Sequence, residues 1–282
     1  MSESNAVTAS AAGTIDVGGD LTVNRLGFGA MRITGQGIWG DPPDREAAKA
    51  VLRRAVELGV NFIDTADSYG PNVSEELIAE ALYPYPDDLV IATKGGLTRT
   101  GPGVWPRNGR PEHLVKALEG SLKRLKLEQI PLYQFHAPDP AVPIEESLGA
   151  LIEAKQAGKV RHIGVSNFDE TQIAIAQGLT PIVSVQNRYN ADDRTSESVV
   201  DLCEQEQLAF LPWAPISAES AAVKEAAVNH GISPRQVVLA WLLARSPQML
   251  PIPGTGSIGH LEENIAAASV RLSPAEVAAI TG

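Results

Sequence analysis

Short apolar runs alternate with amphipathic stretches along most of the chain, and this alternation limits the possible folds more than any other feature. Counted from Leu26, eight runs of strand length are each followed by a stretch with helical spacing. Each helical return places the next strand parallel to the previous one. The pattern predicts an α/β fold, a single closed (β/α)8 TIM barrel, rather than an open sheet.

The expected elements can be given by residue number. Strands are predicted at 25–31, 62–66, 89–93, 132–136, 162–165, 182–185, 209–212 and 249–252. Helices are predicted at 44–58, 73–82, 112–126, 144–157, 170–177, 196–205, 221–229, 234–244 and 261–268.

The N-terminal segment differs from these units. Residues 1–13 are small and polar, without the basic and apolar regions of a signal peptide, and are predicted to form a disordered tail. Residues 14–23 alternate around Gly18-Gly19-Asp20, which is typical of a β-hairpin, and we expect this hairpin to cap one end of the barrel. The barrel domain then spans 14–282. Two smaller domains would also suit this length, but no linker-like segment separates them.

Charge and cysteine content exclude several classes of partner. The formal net charge of -11 argues against a nucleic-acid or anionic-membrane partner. No apolar run approaches the ~20 residues of a membrane span. The single cysteine, Cys203, excludes an intramolecular disulfide, so a reducing cytoplasm is the expected location.

A glycine-rich segment at 254–259 invites a dinucleotide-fold interpretation. A doubly wound sheet carries that fingerprint at its first strand–helix turn, whereas here it follows the last strand. Too little chain follows Gly259 for another strand–helix–strand unit. The segment instead predicts a flexible loop before a helix N-terminus, where backbone amides and the helix dipole favour a phosphate group.

Ionisable side chains follow three successive predicted strands. Asp64 and Tyr69 follow the second, Lys94 the third and His136 the fourth, so they should converge at one rim of the barrel. Each alone has a simpler explanation as a turn or solvated residue, but their joint appearance favours a site. The set suits carbonyl reduction: Tyr69 protonates the oxygen, Lys94 lowers the pKa of its hydroxyl, Asp64 orients Lys94 and His136 donates to the carbonyl.

Several segments resemble the aldo-keto reductase family, and within it bacterial members of the pyridoxal reductase type. The resemblance runs in order from about Leu21 to Ala268. It implies an NADPH-binding barrel without a Rossmann domain, with Asp64, Tyr69, Lys94 and His136 as the catalytic tetrad. The segments that carry it are 61–70, 91–94, 132–136, 163–168 and 252–255, with Glu263 and Asn264.

The same resemblance assigns cofactor contacts residue by residue. Trp213 stands where the family usually has a tyrosine stacked on the nicotinamide. The carboxamide would be held by Ser166, Asn167 and Gln186. The adenosine end would be held by Gly254, Thr255, Gly256, His260, Glu263 and Asn264. Further cofactor contacts are expected from Gly29, Met31, Asp64, Pro215, Ile252 and Ser257.

Two positions leave the choice of cofactor open. Many relatives carry lysine and arginine at the positions of Gly254 and His260, where these cations hold the 2′-phosphate. NADPH is therefore expected, NADH remains possible, and a lysine at position 254 is predicted to tighten NADPH. The substrate is expected to be a small carbonyl compound, with pyridoxal a candidate. Its pocket would be lined by Met31, Trp39, Tyr69, Trp105 and His136.

Alternative activities account for less of the sequence. The five histidines lack metal-ligand spacing, so no metal site is expected. A Schiff-base aldolase could use Lys94, but it leaves the cofactor positions unexplained. A non-catalytic, nicotinamide-sensing binding protein on the same fold is the main rival. The expected assembly is a monomer or a weak homo-oligomer.

Overall fold

A computed structural model describes residues 7–282, and its centre is a parallel sheet in which strands neighbour one another in chain order. The strands of this sheet are β3 (Phe28–Gly29), β4 (Phe62–Asp64), β5 (Val90–Gly95), β6 (Ile130–Phe135), β7 (Val160–Ser166), β8 (Ile182–Gln186) and β9 (Ala209–Phe210). An antiparallel hairpin precedes them, formed by β1 (Thr14–Val17) and β2 (Leu21–Asn24).

Helices return the chain between these strands. They are α1 (Arg45–Glu57), α2 (Val73–Leu82), α3 (Pro111–Leu125), α4 (Ile144–Gln156), α5 (Glu170–Leu179), α6 (Glu197–Glu206), α7 (Ala221–His230), α8 (Pro234–Arg245), α9 (Ile258–Ala266) and α10 (Pro274–Thr281). None of the helices within residues 7–282 is both long enough and apolar enough to cross a membrane.

The segment 249–253 closes the barrel without forming a regular strand. Leu250 N donates to Phe210 O at 2.9 Å, and Gly27 N donates to Pro251 O at 2.9 Å, so the segment bonds to both neighbours. Pro251 and Pro253 have no N–H to donate, which interrupts the ladder. The predicted (β/α)8 barrel is confirmed, with an eighth strand position held by few hydrogen bonds.

The first barrel strand is shorter than predicted. Only Phe28 and Gly29 pair with β4, opposite Ile63 and Asp64, and the chain then enters a 3-10 turn at Ala30–Ile33. Because β4 ends at Asp64, residues after Gly29 have no strand to pair with. This turn brings Met31 and Arg32 to the rim of the barrel.

The hairpin caps the N-terminal end of the barrel, as predicted. Its apolar side chains, including Val17 and Val23, form one buried cluster with residues at the starts of barrel strands, such as Phe62 and Val90. The cluster fills the barrel interior at that end. The open end of the barrel is therefore the opposite one, where the strands reach their carboxyl ends.

The expected disordered tail is wrong for residues 9–12, which form a 3-10 turn. Ala9 is fully buried, and its N–H donates to Leu58 O at 2.8 Å. Gly59, which follows Leu58, has a left-handed φ of 79° that glycine adopts without strain. Residues 1–6, which belong to the same prediction, lie outside the described residues.

Candidate active site

Lys94 lies at the centre of a buried cluster at the carboxyl ends of β4 and β5. Its Nζ donates to Asp64 Oδ2 at 2.7 Å, to Thr65 O at 2.9 Å and to the Tyr69 hydroxyl at 3.3 Å. The three bonds use all three ammonium protons. Because Lys94 is fully buried, its charge is directed at Asp64 and Tyr69 rather than at solvent.

Two glutamines complete the surroundings of Asp64. Its Oδ1 accepts from Gln134 Nε2 at 3.0 Å and from Gln186 Nε2 at 2.8 Å, while Oδ2 faces Lys94. Both carboxylate oxygens are thus bonded, which a buried charge requires. Asp64 therefore holds Lys94 in place and is itself fixed from two other strands.

The electrostatics of the cluster differ from the sequence-based expectation at Tyr69. Burial raises the pKa of the Tyr69 hydroxyl above its ordinary value, and the opposing effect of Lys94 does not overcome it. Lys94 does act to lower this pKa, as predicted, but burial is the larger effect and the charge of Asp64 adds to it, so the net shift is upward. The phenol therefore keeps its proton at neutral pH.

Lys94 and His136 differ in charge state. Burial alone would lower the pKa of Lys94, but the combined interactions with Asp64 and Tyr69 outweigh it and the pKa is raised. Burial, with the charge of Lys94 as a second cause, lowers the pKa of His136 well below its ordinary value. Lys94 is thus a cation and His136 a neutral imidazole, which carries one N–H.

Tyr69 is held between two rings. The His136 ring lies edge-on to it at a centroid distance of 5.9 Å, and Trp105 lies edge-on at 6.2 Å. Ser68 Oγ lies 3.5 Å from His136 Nδ1. The Tyr69 hydroxyl and the His136 imidazole therefore face one space at the barrel rim.

Most predicted site residues surround a cavity of about 490 Å³. A neighbouring cavity of about 360 Å³ shares Arg32, Ile216 and Gly254 with it. Predicted residues lining the larger one are Gly29, Met31, Asp64, Tyr69, Trp105, His136, Ser166, Asn167, Gln186, Trp213, Pro215, Ile252 and Gly254. Those lining the smaller one are Gly254, Thr255, Gly256, His260 and Asn264.

Four predicted residues line neither cavity. Lys94 lies beneath the larger cavity, behind Asp64 and Tyr69. Trp39 is 37% exposed and lies beyond the wall of the cavity. Ser257 caps α9 by accepting from His260 N, and Glu263 is half-buried on that helix.

A chain of hydrogen bonds positions the wall opposite Tyr69. Trp213 Nε1 donates to Asn167 Oδ1 at 3.0 Å, and Asn167 Nδ2 donates to His136 O at 3.0 Å. Ser166 Oγ donates to Gln186 O at 2.8 Å. Asn167 has a left-handed φ of 61°, a conformation that asparagine tolerates better than most residues. The indole and the amide are therefore fixed relative to His136.

Arg99 fastens three rim loops together over Tyr69. Its guanidinium donates to the carbonyls of Ile38 at 2.6 Å and Ser68 at 3.0 Å. It also stacks on Trp105, with 3.6 Å between the guanidinium carbon and the ring centroid. Its other acceptors are the carbonyls of Gly37, Gly101 and Val104. One side chain thus joins the loops after β3, β4 and β5.

Comparison with known proteins decides the family. Residues 25–221 and 218–282 match the Aldo/keto reductase family. The chain belongs to that family. It is therefore an oxidoreductase, and its barrel places the Tyr69 cavity at the end where such barrels carry their chemistry.

Individual relatives of this reductase cover almost its whole length. An uncharacterized oxidoreductase of Schizosaccharomyces pombe is 49% identical over 96% of this chain and 89% of its own. Pyridoxine 4-dehydrogenase of Escherichia coli is 42% identical over 94% of this chain and 96% of its own. An aldo-keto reductase of Klebsiella pneumoniae, solved in complex with NADPH, has a TM-score of 0.81 at 27% identity over 95% of this chain and 93% of its own.

Several residues around the reductase cavities were not predicted. Gln134 appeared to be an ordinary strand residue, yet it bonds to Asp64. Arg32 follows the predicted Met31 directly, so its position after a glycine-rich strand was a usable signal. No signal in the sequence pointed to Arg235, because it lies within a regular helical pattern. The remaining unpredicted lining residues are Ile38, Leu97, Ala214 and Ile216.

Gly254 lies at the seam where the barrel closes. A Cβ at this position would overlap the carbonyl oxygen of Gly29, and a Cβ at Gly29 would lie 2.6 Å from Ile252 O. A lysine at position 254 would place its Cβ against Gly29 O, so the seam of the barrel would have to shift to accept it. The effect of such a lysine on NADPH affinity stays a prediction.

Asp67, whose N–H donates to Lys94 O, gives a prediction about pH. Its Oδ1 is buried without a hydrogen-bond partner among the described residues, and burial followed by the charge of Glu75 raises its pKa from 3.8 to about 8. A carboxyl whose folded-state pKa is raised stabilises the protein below its unfolded pKa, and this contribution is lost as the pH rises toward 8. We expect Asp67→Asn to be more stable than the parent at pH 9 by about 2–5 kcal/mol, and much less so at pH 5.

Urea unfolding at the two pH values measures this difference. Asp88→Asn, the same change at an exposed position, serves as the control and should leave the difference from the parent equal at both. An Asp67→Asn protein with the same stability gap at pH 5 and pH 9 would contradict the assignment.

Proposed function

We propose that this aldo-keto reductase uses NADPH to reduce aldehydes and ketones to alcohols, with Tyr69 as the proton donor. One observation carries the proposal: the Tyr69 hydroxyl, 3.3 Å from the Lys94 ammonium, faces the cavity beside His136. Its raised pKa keeps the proton in place until an acceptor arrives. Lys94 then stabilises the phenolate that remains.

The shape of the two adjoining cavities supports an extended dinucleotide. Their shared residues, Arg32, Ile216 and Gly254, join them into one trough that leads from Tyr69 to Asn264. At the far end, Asn264 Oδ1 is buried with no hydrogen-bond partner among residues 7–282. A ligand amino group, such as that of adenine, would satisfy it. The related Klebsiella pneumoniae reductase was solved with NADPH bound.

The residues of the chain have separable tasks in this reaction. NADPH, when bound, would supply the hydride that the carbonyl carbon accepts. Tyr69 donates its proton to the carbonyl oxygen, and the neutral His136 ring donates a hydrogen bond that orients that oxygen. Trp213 offers an indole face for stacking, and Asn167 holds that indole at 3.0 Å.

The second task is orientation of the carboxamide end of the cofactor. Ser166, Asn167 and Gln186 lie together in the cavity wall and carry the amide and hydroxyl groups this requires. Lys94 does not act as a Schiff-base nucleophile here, because its raised pKa keeps it protonated in the pair with Asp64.

Pyridoxal is the proposed substrate. The Escherichia coli relative, 42% identical, is named pyridoxine 4-dehydrogenase, and pyridoxine is the alcohol that reduction of pyridoxal yields. The cavity beside Tyr69 combines apolar walls from Trp105, Leu97 and Ile38 with the polar groups of His136, which suits a small aromatic aldehyde.

Absorbance at the nicotinamide band tests the function. Purified protein is mixed with NADPH or NADH and a panel of pyridoxal, aromatic aldehydes and aliphatic aldehydes. We expect oxidation of NADPH with pyridoxal among the better substrates. Tight NADPH binding without oxidation across the panel would contradict the proposed carbonyl-reducing activity and favour a cofactor-sensing protein.

A further inference from the structure

The smaller cavity is positively charged in a protein that is negative overall. Arg32 lines it from the turn after β3, Arg235 lines it from the first turn of α8, and His260 lines it from α9. Among the described residues, no Asp or Glu lines this cavity. Its surroundings thus oppose the formal net charge of -11 of the whole chain.

Arg32 lies beside the loop that contains Gly254 and Gly256. Its Cγ lies 3.6 Å from the point where a Cβ on Gly254 would stand, and its carbonyl oxygen lies 3.3 Å from the corresponding point on Gly256. The stem of Arg32 therefore runs along the loop 254–256. The close contact between Gly29 and Gly254 leaves no room for a lysine side chain at position 254 without a shift of the seam. The guanidinium group of Arg32 provides a positive charge beside the same loop.

Arg235 and Asn264 add to this arrangement independently. Arg235 is exposed and lines the cavity from a helix, 203 positions further along the chain than Arg32. Asn264 is 2% exposed, and its unpartnered Oδ1 marks the cavity as a place where a polar ligand belongs. An adenosine with a 2′-phosphate has groups that match this cavity. The guanidinium groups would bind the phosphate, and Asn264 Oδ1 would accept a hydrogen bond from the adenine amino group.

We infer that Arg32 and Arg235 clamp the 2′-phosphate of NADPH and thereby determine the preference of this reductase for NADPH over NADH. The inference rests on the proposed function and extends it, because it places the cofactor discrimination on residues outside positions 254 and 260. The clamp acts only on the 2′-phosphate, so NADH gains nothing from it.

Binding measurements test the clamp without relying on catalysis. Quenching of tryptophan fluorescence gives the Kd of NADPH and NADH for the parent, Arg32→Gln, Arg235→Gln and the double variant. Each single change should raise the Kd of NADPH about tenfold and the double change about a hundredfold. The Kd of NADH should stay unchanged. Arg53→Gln, an exposed arginine on α1, is the control and should alter neither.

Fragments of the two cofactors test the contribution of the 2′-phosphate by itself. Adenosine 2′,5′-bisphosphate and AMP differ only in the 2′-phosphate, so only the former should lose affinity in the variants. A parent protein that binds NADH as tightly as NADPH, or variants that weaken both cofactors equally, would overturn the clamp. Failure of the proposed function is distinct: the parent would then discriminate between the cofactors and oxidise neither with any carbonyl compound.

Discussion

Replacing Tyr69 with phenylalanine is expected to lower kcat/KM for carbonyl reduction by about 10²- to 10⁴-fold, the usual contribution of a positioned general acid. The hydroxyl is the group that Lys94 contacts at 3.3 Å and the one that faces the cavity beside His136. Phenylalanine keeps the ring against Trp105 and removes only the proton donor. The Kd of NADPH should therefore stay within about twofold of the parent.

Steady-state kinetics and cofactor titration on the same preparation measure the two effects. Tyr85→Phe is the matched control, because it removes a hydroxyl that donates to Leu125 O at 2.7 Å, remote from the cavity. That variant should reduce pyridoxal at the parental rate. A Tyr69→Phe protein with full activity would remove Tyr69 from the role of acid.

Lys94→Met is expected to abolish activity and also to lower the free energy of unfolding by about 3–5 kcal/mol, which is typical when one partner of a buried ion pair is removed. The methionine fills similar space but leaves the Asp64 carboxylate buried without its cation. Gln134 and Gln186 still donate to Asp64, so one of its oxygens stays satisfied. Activity is lost because the Tyr69 phenolate no longer has a positive neighbour.

A second substitution separates charge from chemistry. In Lys94→Met with Asp64→Asn, both buried charges are gone, so urea unfolding should show most of the lost stability restored. Catalysis should stay absent, because the ammonium beside Tyr69 is still missing. A Lys94→Met protein as stable as the parent would show that Asp64 and Lys94 do not form the ion pair in solution.

The strand ends made the convergence of these side chains predictable from sequence. Asp64, Lys94 and His136 follow neighbouring strands of a parallel barrel, and such ends meet at one rim whatever the details of packing. The sign of the pKa shift at Tyr69 was not predictable in the same way. It depends on how completely the ring is buried, and the spacing of residues along the chain contains no information about that burial.

Contacts across the seam of the barrel were also beyond sequence reasoning. Arg32 and Arg235 lie far apart in the chain and meet at one cavity only because the segment 249–253 closes the sheet. From the sequence, Gly254 was interpreted as a position that lacks the lysine of many relatives. The structure gives a reason for the glycine, because a Cβ there would overlap the carbonyl oxygen of Gly29 across the seam. Local patterns locate the rim, but closure decides which residues face each other across it.

The attachment of three loops by Arg99 has a thermodynamic consequence for substrate binding. Immobilising a flexible side chain at an interface typically costs about 0.5–1.5 kcal/mol, and ordering a whole loop costs more. Here the loops beside Tyr69 are already fixed by Ile38 O, Ser68 O and the Trp105 ring when the chain folds. A small carbonyl substrate would therefore meet a preformed wall, and little of its limited binding energy would be consumed in ordering the protein.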